Sequence, residues 1–216
     1  MLKIVSATFF RQIFAGLLQI VALMVIARFL TVAEMGQYTL ITLVPNLLSL
    51  IMTFGLQSAN IYAIGRKKVT ASEALYVNYI LLFAISIISI FLSAIFFIVF
   101  GKSFFSEVPM NLLIISSTTI LPLMFLNVLP TILQATERFN LFNLICMIQP
   151  LFLVVLSLLA AFFFTSLENI VYAFIAASFL TFLVLVLVCI KTIKVKSYCI
   201  KKFIHEFFHY SIVSHL

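Results

Sequence analysis

The sequence predicts an all-α membrane protein in which six transmembrane helices form one bundle. Of its 216 residues, 65% are hydrophobic and only 9% are charged, and the mean hydropathy is +1.30. An average soluble domain has roughly 45 to 50% apolar and about 25% charged residues. This chain therefore has too few polar residues to cover a surface in water, and its 25 Phe exclude a disordered chain. The three Cys lie largely within apolar runs, which favours free thiols over disulfides.

Six apolar runs are long enough to cross a bilayer, which needs about 20 residues per helix. They cover approximately residues 12–30, 38–64, 74–100, 111–134, 141–164 and 169–190. Strands of a β-barrel alternate apolar and polar residues, whereas residues 80–100 are apolar on every face. A cleaved signal peptide is not expected, because Arg11 interrupts the early apolar run and the run that follows is long enough to span.

The basic residues predict the orientation of these spans. If the N-terminus lies in the cytoplasm, Lys102 falls in an outer loop and Arg28 near the outer end of the first helix, while eleven of the thirteen basic residues fall inside. Omitting any one span would place basic loops on both sides, so we expect both termini to be cytoplasmic. The basic residues on the inner side are Lys3, Arg11, Arg66, Lys67, Lys68, Arg138, Lys191, Lys194, Lys196, Lys201 and Lys202.

The positions of the acidic residues indicate whether the membrane spans contain a carboxylate that could bind a coupling ion. The chain has no Asp, and its six Glu fall in the breaks between spans or near an end. Cation-driven pumps commonly carry a carboxylate inside the membrane to bind the proton or sodium ion. Any site for a coupling ion would therefore use backbone carbonyls, side-chain amides or residues outside this chain.

Proline and amide side chains interrupt the apolar spans. Proline removes a backbone hydrogen bond and bends a helix, so we expect bends at Pro45, Pro122, Pro130 and Pro150. Amides donate and accept hydrogen bonds and suit sugar hydroxyls in an aqueous cavity, although for any single amide a bond between helices is the more common role. Nine amides together favour a wet interior: Gln19, Asn46, Gln57, Asn60, Asn78, Asn127, Gln134, Asn143 and Gln149.

Four arginines are candidates for binding an anionic group, because guanidinium binds phosphate through two parallel hydrogen bonds. Arg11 and Arg28 lie at opposite ends of the first helix, while Arg66 and Arg138 close the second and fourth spans at the cytoplasmic face. The alternative for Arg28 is that it snorkels to the interface, and for Arg66 and Arg138 that they only fix the topology.

No motif indicates an enzyme, a cofactor or a metal site. The sequence has no glycine-rich phosphate loop, nucleophile elbow or paired carboxylates. His205 and His209 have a spacing that a metal site uses, but the interleaved aromatic residues favour an amphipathic interfacial helix, and we expect no metal. The net charge of +7 follows the cytoplasmic loops, so we expect no nucleic-acid partner.

Several segments resemble those of a known family. ARFLTVAEMGQYTL (residues 27–40), FGLQSANIYAIGRKK (54–68), LPTILQATERFNLFN (129–143) and HYSIVSHL (209–216) are similar in order and spacing to bacterial polysaccharide flippases of the O-antigen type. These proteins belong to the multidrug/oligosaccharidyl-lipid/polysaccharide exporter superfamily. The resemblance implies one lobe of a two-lobe flippase fold, in which two six-helix bundles enclose a cavity that opens alternately to each side of the inner (plasma) membrane.

The resemblance also implies a function and partners. The expected activity is translocation of undecaprenyl-pyrophosphate-linked oligosaccharide, an O-antigen or capsule repeat unit. Residues 1–203 would form the first bundle and 204–216 the amphipathic start of a missing second bundle, which is an expected partner together with membrane lipid and a polysaccharide polymerase. We expect the substrate contacts to involve Arg11, Arg28, Arg66 and Arg138 for pyrophosphate, and Gln57, Asn60 and Gln134 for the glycan. The alternatives are a multidrug exporter of the same superfamily and a non-transporting remnant or scaffold.

Overall fold

All regular structure in the described part of the chain is helical. The computed structural model describes residues 2–53, 55–163 and 166–193. The all-α prediction is confirmed for these residues. In chain order the helices are α1 (Leu2–Phe29), α2 (Val32–Met52), α3 (Leu56–Gly65), α4 (Ala71–Phe104), α5 (Met110–Ser116), α6 (Ile120–Val128), α7 (Pro130–Ala135), α8 (Phe139–Phe163) and α9 (Leu167–Thr192), with a 3-10 turn at Ser117–Thr119 between α5 and α6.

The helices form six segments that are long and apolar enough to cross a membrane, as predicted. The chain is therefore a multi-pass membrane protein. The second and third segments are longer than the apolar runs of the sequence. The His205/His209 pair and the predicted amphipathic segment 204–216 lie outside the described residues. The six segments are Phe9–Phe29, Val32–Gly65, Ala71–Phe104, Met110–Ala135, Phe139–Phe163 and Leu167–Thr192.

The fourth segment is the centre of the bundle. In the most apolar 18-residue stretch of this segment, 67% is buried. The corresponding share in the other five segments is 11 to 39%. Helix α6 within it contacts α2, α4 and α9, while α1 packs on α8 and α8 packs on α9. Helix α1 makes few contacts with α2, so most of its surface faces outward.

Proline breaks only the central segment. The 3-10 turn at Ser117–Thr119 precedes Pro122, which has no N–H to donate, and Pro130 is the first residue of α7. Helices α2 and α8, in contrast, continue through Pro45 and Pro150. The irregular backbone thus lies in the segment that neighbouring helices cover most, and hydroxyls of the same segment bond to its carbonyls: Ser117 donates to Leu113 and Thr119 to Ser116.

The second segment is broken at a glycine that the sequence did not single out. Gly55 has φ of 69° and precedes α3, which begins at Leu56. Glycine adopts this left-handed conformation without the steric cost of a Cβ. At the end of α2, the Thr53 hydroxyl donates to the Leu50 carbonyl over 2.7 Å. Because the left-handed Gly55 separates α2 from α3, the residues of α3 do not continue the helical path of α2.

Two of the glutamates located in the breaks take part in capping boxes at helix starts. At the start of α2, the Thr31 N–H donates to the Glu34 carboxylate over 2.8 Å, and the Glu34 N–H donates to the Thr31 hydroxyl. Thr70 and Glu73 make the same pair of bonds at the start of α4. These capping boxes satisfy N–H groups at each helix start and give both carboxylates a structural role.

Replacing Gly55 with alanine should destabilise the protein, because the left-handed backbone then carries a Cβ. We expect the Gly55→Ala variant to lose about 1 kcal/mol of unfolding free energy, measured by denaturation in detergent micelles. Gly65→Ala is the matched control: Gly65 lies in α3, has open space around it and no positive φ, so alanine should be neutral or stabilising there. Equal effects of the two substitutions would contradict the assigned break.

Candidate functional site

Two of the predicted arginines lie at the same end of the bundle, on either side of the start of α8. The Arg11 Nη1 atom donates to the Phe139 carbonyl oxygen over 3.2 Å, which links α1 to the start of α8. The neighbouring Arg138 Nη1 donates to the Thr192 carbonyl over 2.9 Å, at the end of α9. Arg138 thus lies at the C-terminus of α9, where a cation stabilises the unpaired carbonyls. Both guanidiniums therefore link neighbouring helices, and the exposed Arg138 has further N–H groups that a phosphate would use.

Arg66 lies in the loop between α3 and α4. Its guanidinium carbon is 5.6 Å from the centre of the Tyr62 ring, and the Lys68 ammonium is 5.2 Å from the same centre. Cation–π contacts of this kind are worth about 0.5 to 1 kcal/mol at exposed sites. The ring therefore restrains two cations near the start of α4, and Tyr62 is a residue that the sequence analysis did not identify.

Helices α3 and α7 end in the same backbone motif. Lys67 (φ 56°) and Glu137 (φ 60°) are left-handed, and the N–H groups of Lys68 and Arg138 each donate to the carbonyl five residues earlier, over 3.0 and 2.9 Å. This is the Schellman motif, in which the left-handed residue is usually glycine. The two helices pack against each other, so two equivalent turns place Arg66 and Arg138.

Arg28 lies at the opposite end of α1 from Arg11. The two residues are separated by 17 positions, or about 26 Å along the helix axis, so they do not share one phosphate. Arg28 is exposed and makes no hydrogen bond or ion pair with any residue that the structure describes. It lies in the last turn of α1, where it also complements the helix dipole.

Asn60 belongs to a buried chain of hydrogen bonds that joins α3, α4 and α7. The Asn78 Nδ2 donates to Asn60 Oδ1 over 2.7 Å, the Asn60 Nδ2 donates to the Thr131 hydroxyl over 3.1 Å, and Thr131 donates to the Val128 carbonyl. Asn78 also donates to the Ala74 carbonyl. Both asparagines are fully buried. Asn60 is thus engaged by the protein in this conformation, and its contact with a glycan stays a prediction.

Gln57 and Gln134 differ from Asn60. They lie on the packed helices α3 and α7, both are half-buried, and neither side chain makes a hydrogen bond within the described ranges. An amide that is half-exposed and unpaired is available to a ligand with hydroxyl groups.

Two of the remaining amides bond to protein groups. Asn127 Nδ2 approaches the Ser49 hydroxyl at 3.4 Å and Asn46 Nδ2 donates to the Thr42 carbonyl, as expected of bonds between and within helices. Gln19 is exposed on α1. Within the described residues, no cluster of three or more His, Cys, Asp or Glu side chains has a geometry that would hold a metal ion.

The comparison with protein families identifies the chain. A family model described as "Polysaccharide biosynthesis protein" matches residues 25–215, which is most of the sequence. The chain belongs to the polysaccharide biosynthesis protein family. No curated protein and no solved structure matches it.

This family and the membrane-helical fold fit a transporter rather than an enzyme, and they support a role in polysaccharide biosynthesis or export. The resemblance to polysaccharide flippases is consistent with the family match. Of the residues predicted to contact substrate, Arg11 and Arg138 lie at the same end of the bundle, Gln57 and Gln134 lie on packed helices, and Arg28 lies at the other end of α1.

Removing Asn60 from its network should destabilise this polysaccharide biosynthesis protein. In the Asn60→Leu variant, Asn78 and Thr131 each lose a buried partner, so we expect a loss of about 1 to 3 kcal/mol in unfolding free energy in micelles. The Gln57→Leu variant is the control, since Gln57 has no hydrogen bond to lose, and its stability should change by less than about 0.5 kcal/mol. An equal loss in both variants would refute the assignment of Asn60 to the fold.

Glycine at position 137 should stabilise the protein, because Glu137 occupies a left-handed conformation. We expect Glu137→Gly to raise the unfolding free energy by about 1 kcal/mol. Thr136 is the adjacent control: its φ is −93°, so Thr136→Gly should bring no gain. A thermal melt in micelles distinguishes the two variants, and a destabilised Glu137→Gly protein would contradict the Schellman turn.

Proposed function

We propose that this chain is one lobe of a flippase that moves lipid-linked oligosaccharide from the cytoplasmic to the outer leaflet of the bacterial inner membrane. The substrate class is undecaprenyl-pyrophosphate-linked oligosaccharide, such as an O-antigen or capsule repeat unit. Family membership and the six spans support a role in polysaccharide export. The resemblance of the sequence segments to flippases suggests the substrate.

The observation that carries the proposal is the arrangement of α3 and α7. Each helix has a half-exposed glutamine without an internal hydrogen bond, Gln57 or Gln134, and each leads into a turn that places an arginine, Arg66 or Arg138. Hydroxyl-binding amides within the membrane and phosphate-binding guanidiniums at its surface match the two parts of a pyrophosphate-linked sugar. Arg11, held at the start of α8, adds a third guanidinium at this end.

The proposal includes an orientation and partners. Arg11, Arg66–Lys68, Arg138 and Lys191 lie on the cytoplasmic side, which follows the positive-inside rule. Arg28, at the other end of α1, receives the pyrophosphate on the outer side. A second six-helix bundle closes the cavity against this lobe, and a polysaccharide polymerase uses the product.

The multidrug alternative has less support. Among the described glutamates, Glu34 and Glu73 are fixed in helix caps, where they are not placed to exchange a proton with a cavity inside the membrane.

Deletion of the gene in its native bacterium tests the function. We expect loss of surface polysaccharide, accumulation of undecaprenyl-pyrophosphate-linked oligosaccharide on the cytoplasmic leaflet, and recovery when the gene is restored. Altered drug accumulation with normal surface polysaccharide would instead identify a multidrug exporter. Absence of surface polysaccharide with the lipid-linked unit already on the outer leaflet would indicate a scaffold for polymerisation.

Arg28→Ala is the cleanest test of a single residue, because Arg28 holds no described part of the fold together. Charge-assisted hydrogen bonds are worth about 1.5 to 3 kcal/mol, so we expect roughly a tenfold or greater fall in the rate of export at an unchanged protein level. Lys102→Ala, which removes a charge near the same end, is the control and should leave export unchanged. Normal export by the Arg28→Ala protein would remove Arg28 from the mechanism.

A further inference from the structure

Two cations of the loop between α3 and α4 share one aromatic ring. The Arg66 guanidinium carbon lies 5.6 Å, and the Lys68 ammonium 5.2 Å, from the centre of the Tyr62 ring. Since both distances end at one point, adding them shows that the two charges are at most about 11 Å apart. Lys67, between them in the chain, makes no ring contact within the described residues.

The backbone at the end of α3 brings both cations to this ring. Tyr62 and Arg66 are four positions apart, the spacing at which side chains are neighbours on a helix surface. Lys67 has a φ of 56°, and the Lys68 N–H donates to the Ala63 carbonyl over 3.0 Å. The Schellman turn thus folds the chain back over the last turn of the helix, and Lys68 returns to the ring from the other side of the turn.

Neither cation has a counter-ion in the described part of the chain. Arg66 and Lys68 are exposed, and neither side chain makes a hydrogen bond or an ion pair with a described residue. Glu73, the next acidic residue along the chain, caps α4, and its carboxylate accepts bonds from Thr70. Two like charges held near each other repel, and an anion bound to both relieves the repulsion.

The distance between the cations bears on the size of this anion. A charge-assisted hydrogen bond is about 2.8 Å long, so a single phosphate reaches two cations that are up to roughly 8 Å apart. A pyrophosphate has two phosphate groups in a row and reaches both cations over the whole range up to about 11 Å. It also carries more charge than a single phosphate, which strengthens its attraction to a pair of cations.

We propose that Tyr62 is a positioning residue that holds Arg66 and Lys68 as a pair for the pyrophosphate of the lipid-linked substrate on the cytoplasmic side. The identity of the anion rests on the proposed function, whereas the pairing of the cations rests on their contacts with the ring. Without the ring both charges remain, but each long side chain is free to adopt many rotamers. Ordering both side chains on binding then costs conformational entropy, so the ring raises the affinity.

Binding of short polyprenyl analogues to the 216-residue chain tests this proposal. The protein is placed in nanodiscs of phosphatidylcholine, and dissociation constants are measured for farnesyl pyrophosphate and farnesyl monophosphate. We expect the pyrophosphate to bind about tenfold more tightly. Tyr62→Leu keeps an apolar side chain but has no ring, and should weaken pyrophosphate binding about fivefold. Tyr62→Phe keeps the ring and should bind as the unaltered protein does.

Two adjacent lysines provide the matched control. Lys67→Ala and Lys68→Ala remove the same charge from the same loop, but only Lys68 contacts the ring. Lys68→Ala should weaken pyrophosphate binding at least fivefold, and Lys67→Ala less than twofold. Equal weakening would show that the loop attracts anions only through its total charge, and would overturn the pairing. A Tyr62→Phe protein that binds as weakly as Tyr62→Leu would overturn the role of the ring.

A competition experiment identifies the source of the anion. Dihexanoyl phosphatidylglycerol, which has a single phosphate, should not displace farnesyl pyrophosphate when the two are equimolar. Displacement would identify the site as one for ordinary lipid headgroups and would overturn the assigned substrate. Circular dichroism of each variant in the same nanodiscs verifies that its helices are intact.

Export in cells separates positioning from a general loss of structure. Tyr62→Leu should raise the level of lipid-linked oligosaccharide needed for half-maximal export about fivefold and leave the maximal rate unchanged. A fall in the maximal rate alone would contradict a positioning role. The binding measurements do not require export, so a gene deletion that leaves surface polysaccharide normal would refute the proposed function while the paired cations and their preference for pyrophosphate would still stand or fall on binding.

Discussion

The backbone of a membrane protein must satisfy its hydrogen bonds without water, and this constraint accounts for most of the architecture. Among the segments with less cover, α4 and α9 are long unbroken helices, whereas the second segment is broken at Gly55. Irregular backbone occurs in the central segment, around Ser117–Thr119 and Pro130, where 67% of the apolar stretch is covered by other helices. Helix ends that lack such cover are closed by capping boxes and Schellman turns. Where the helices are broken or end, hydroxyls, caps and turns of the same part of the chain supply the hydrogen bonds.

Sequence reasoning predicted the features that depend on local composition. Six spans and their order follow from apolar runs, which the membrane selects whatever their neighbours are. The break at Gly55 was missed because the sequence offered Pro45 as the more obvious breaker, and a glycine signals a left-handed turn only when its surroundings are known. A bond between helices is the common role of a single amide, and Asn60 has that role, but its partners Asn78 and Thr131 were not predictable because they are 18 and 71 residues away in the chain.

The candidate site shows that one residue often serves both the fold and a proposed activity. Arg11 and Arg138 lie at the end expected for phosphate, yet both donate to backbone carbonyls of neighbouring helices. A loss of export in their variants would therefore not distinguish binding from stability. Arg28 and the glutamines Gln57 and Gln134 have no such structural bonds in the described ranges, which makes them the informative positions.

The central claim is that hydrocarbon surrounds six spans and that the loops around Lys67 and Glu137 share one face of the membrane. Single cysteines at these two positions and at Lys102, in a chain whose three native cysteines are replaced by alanine, test it with a membrane-impermeant maleimide. In intact cells the reagent should label Lys102→Cys and spare Lys67→Cys and Glu137→Cys, and permeabilised cells should show labelling of all three. Labelling of Lys67→Cys and Glu137→Cys from opposite faces would contradict the six-span arrangement.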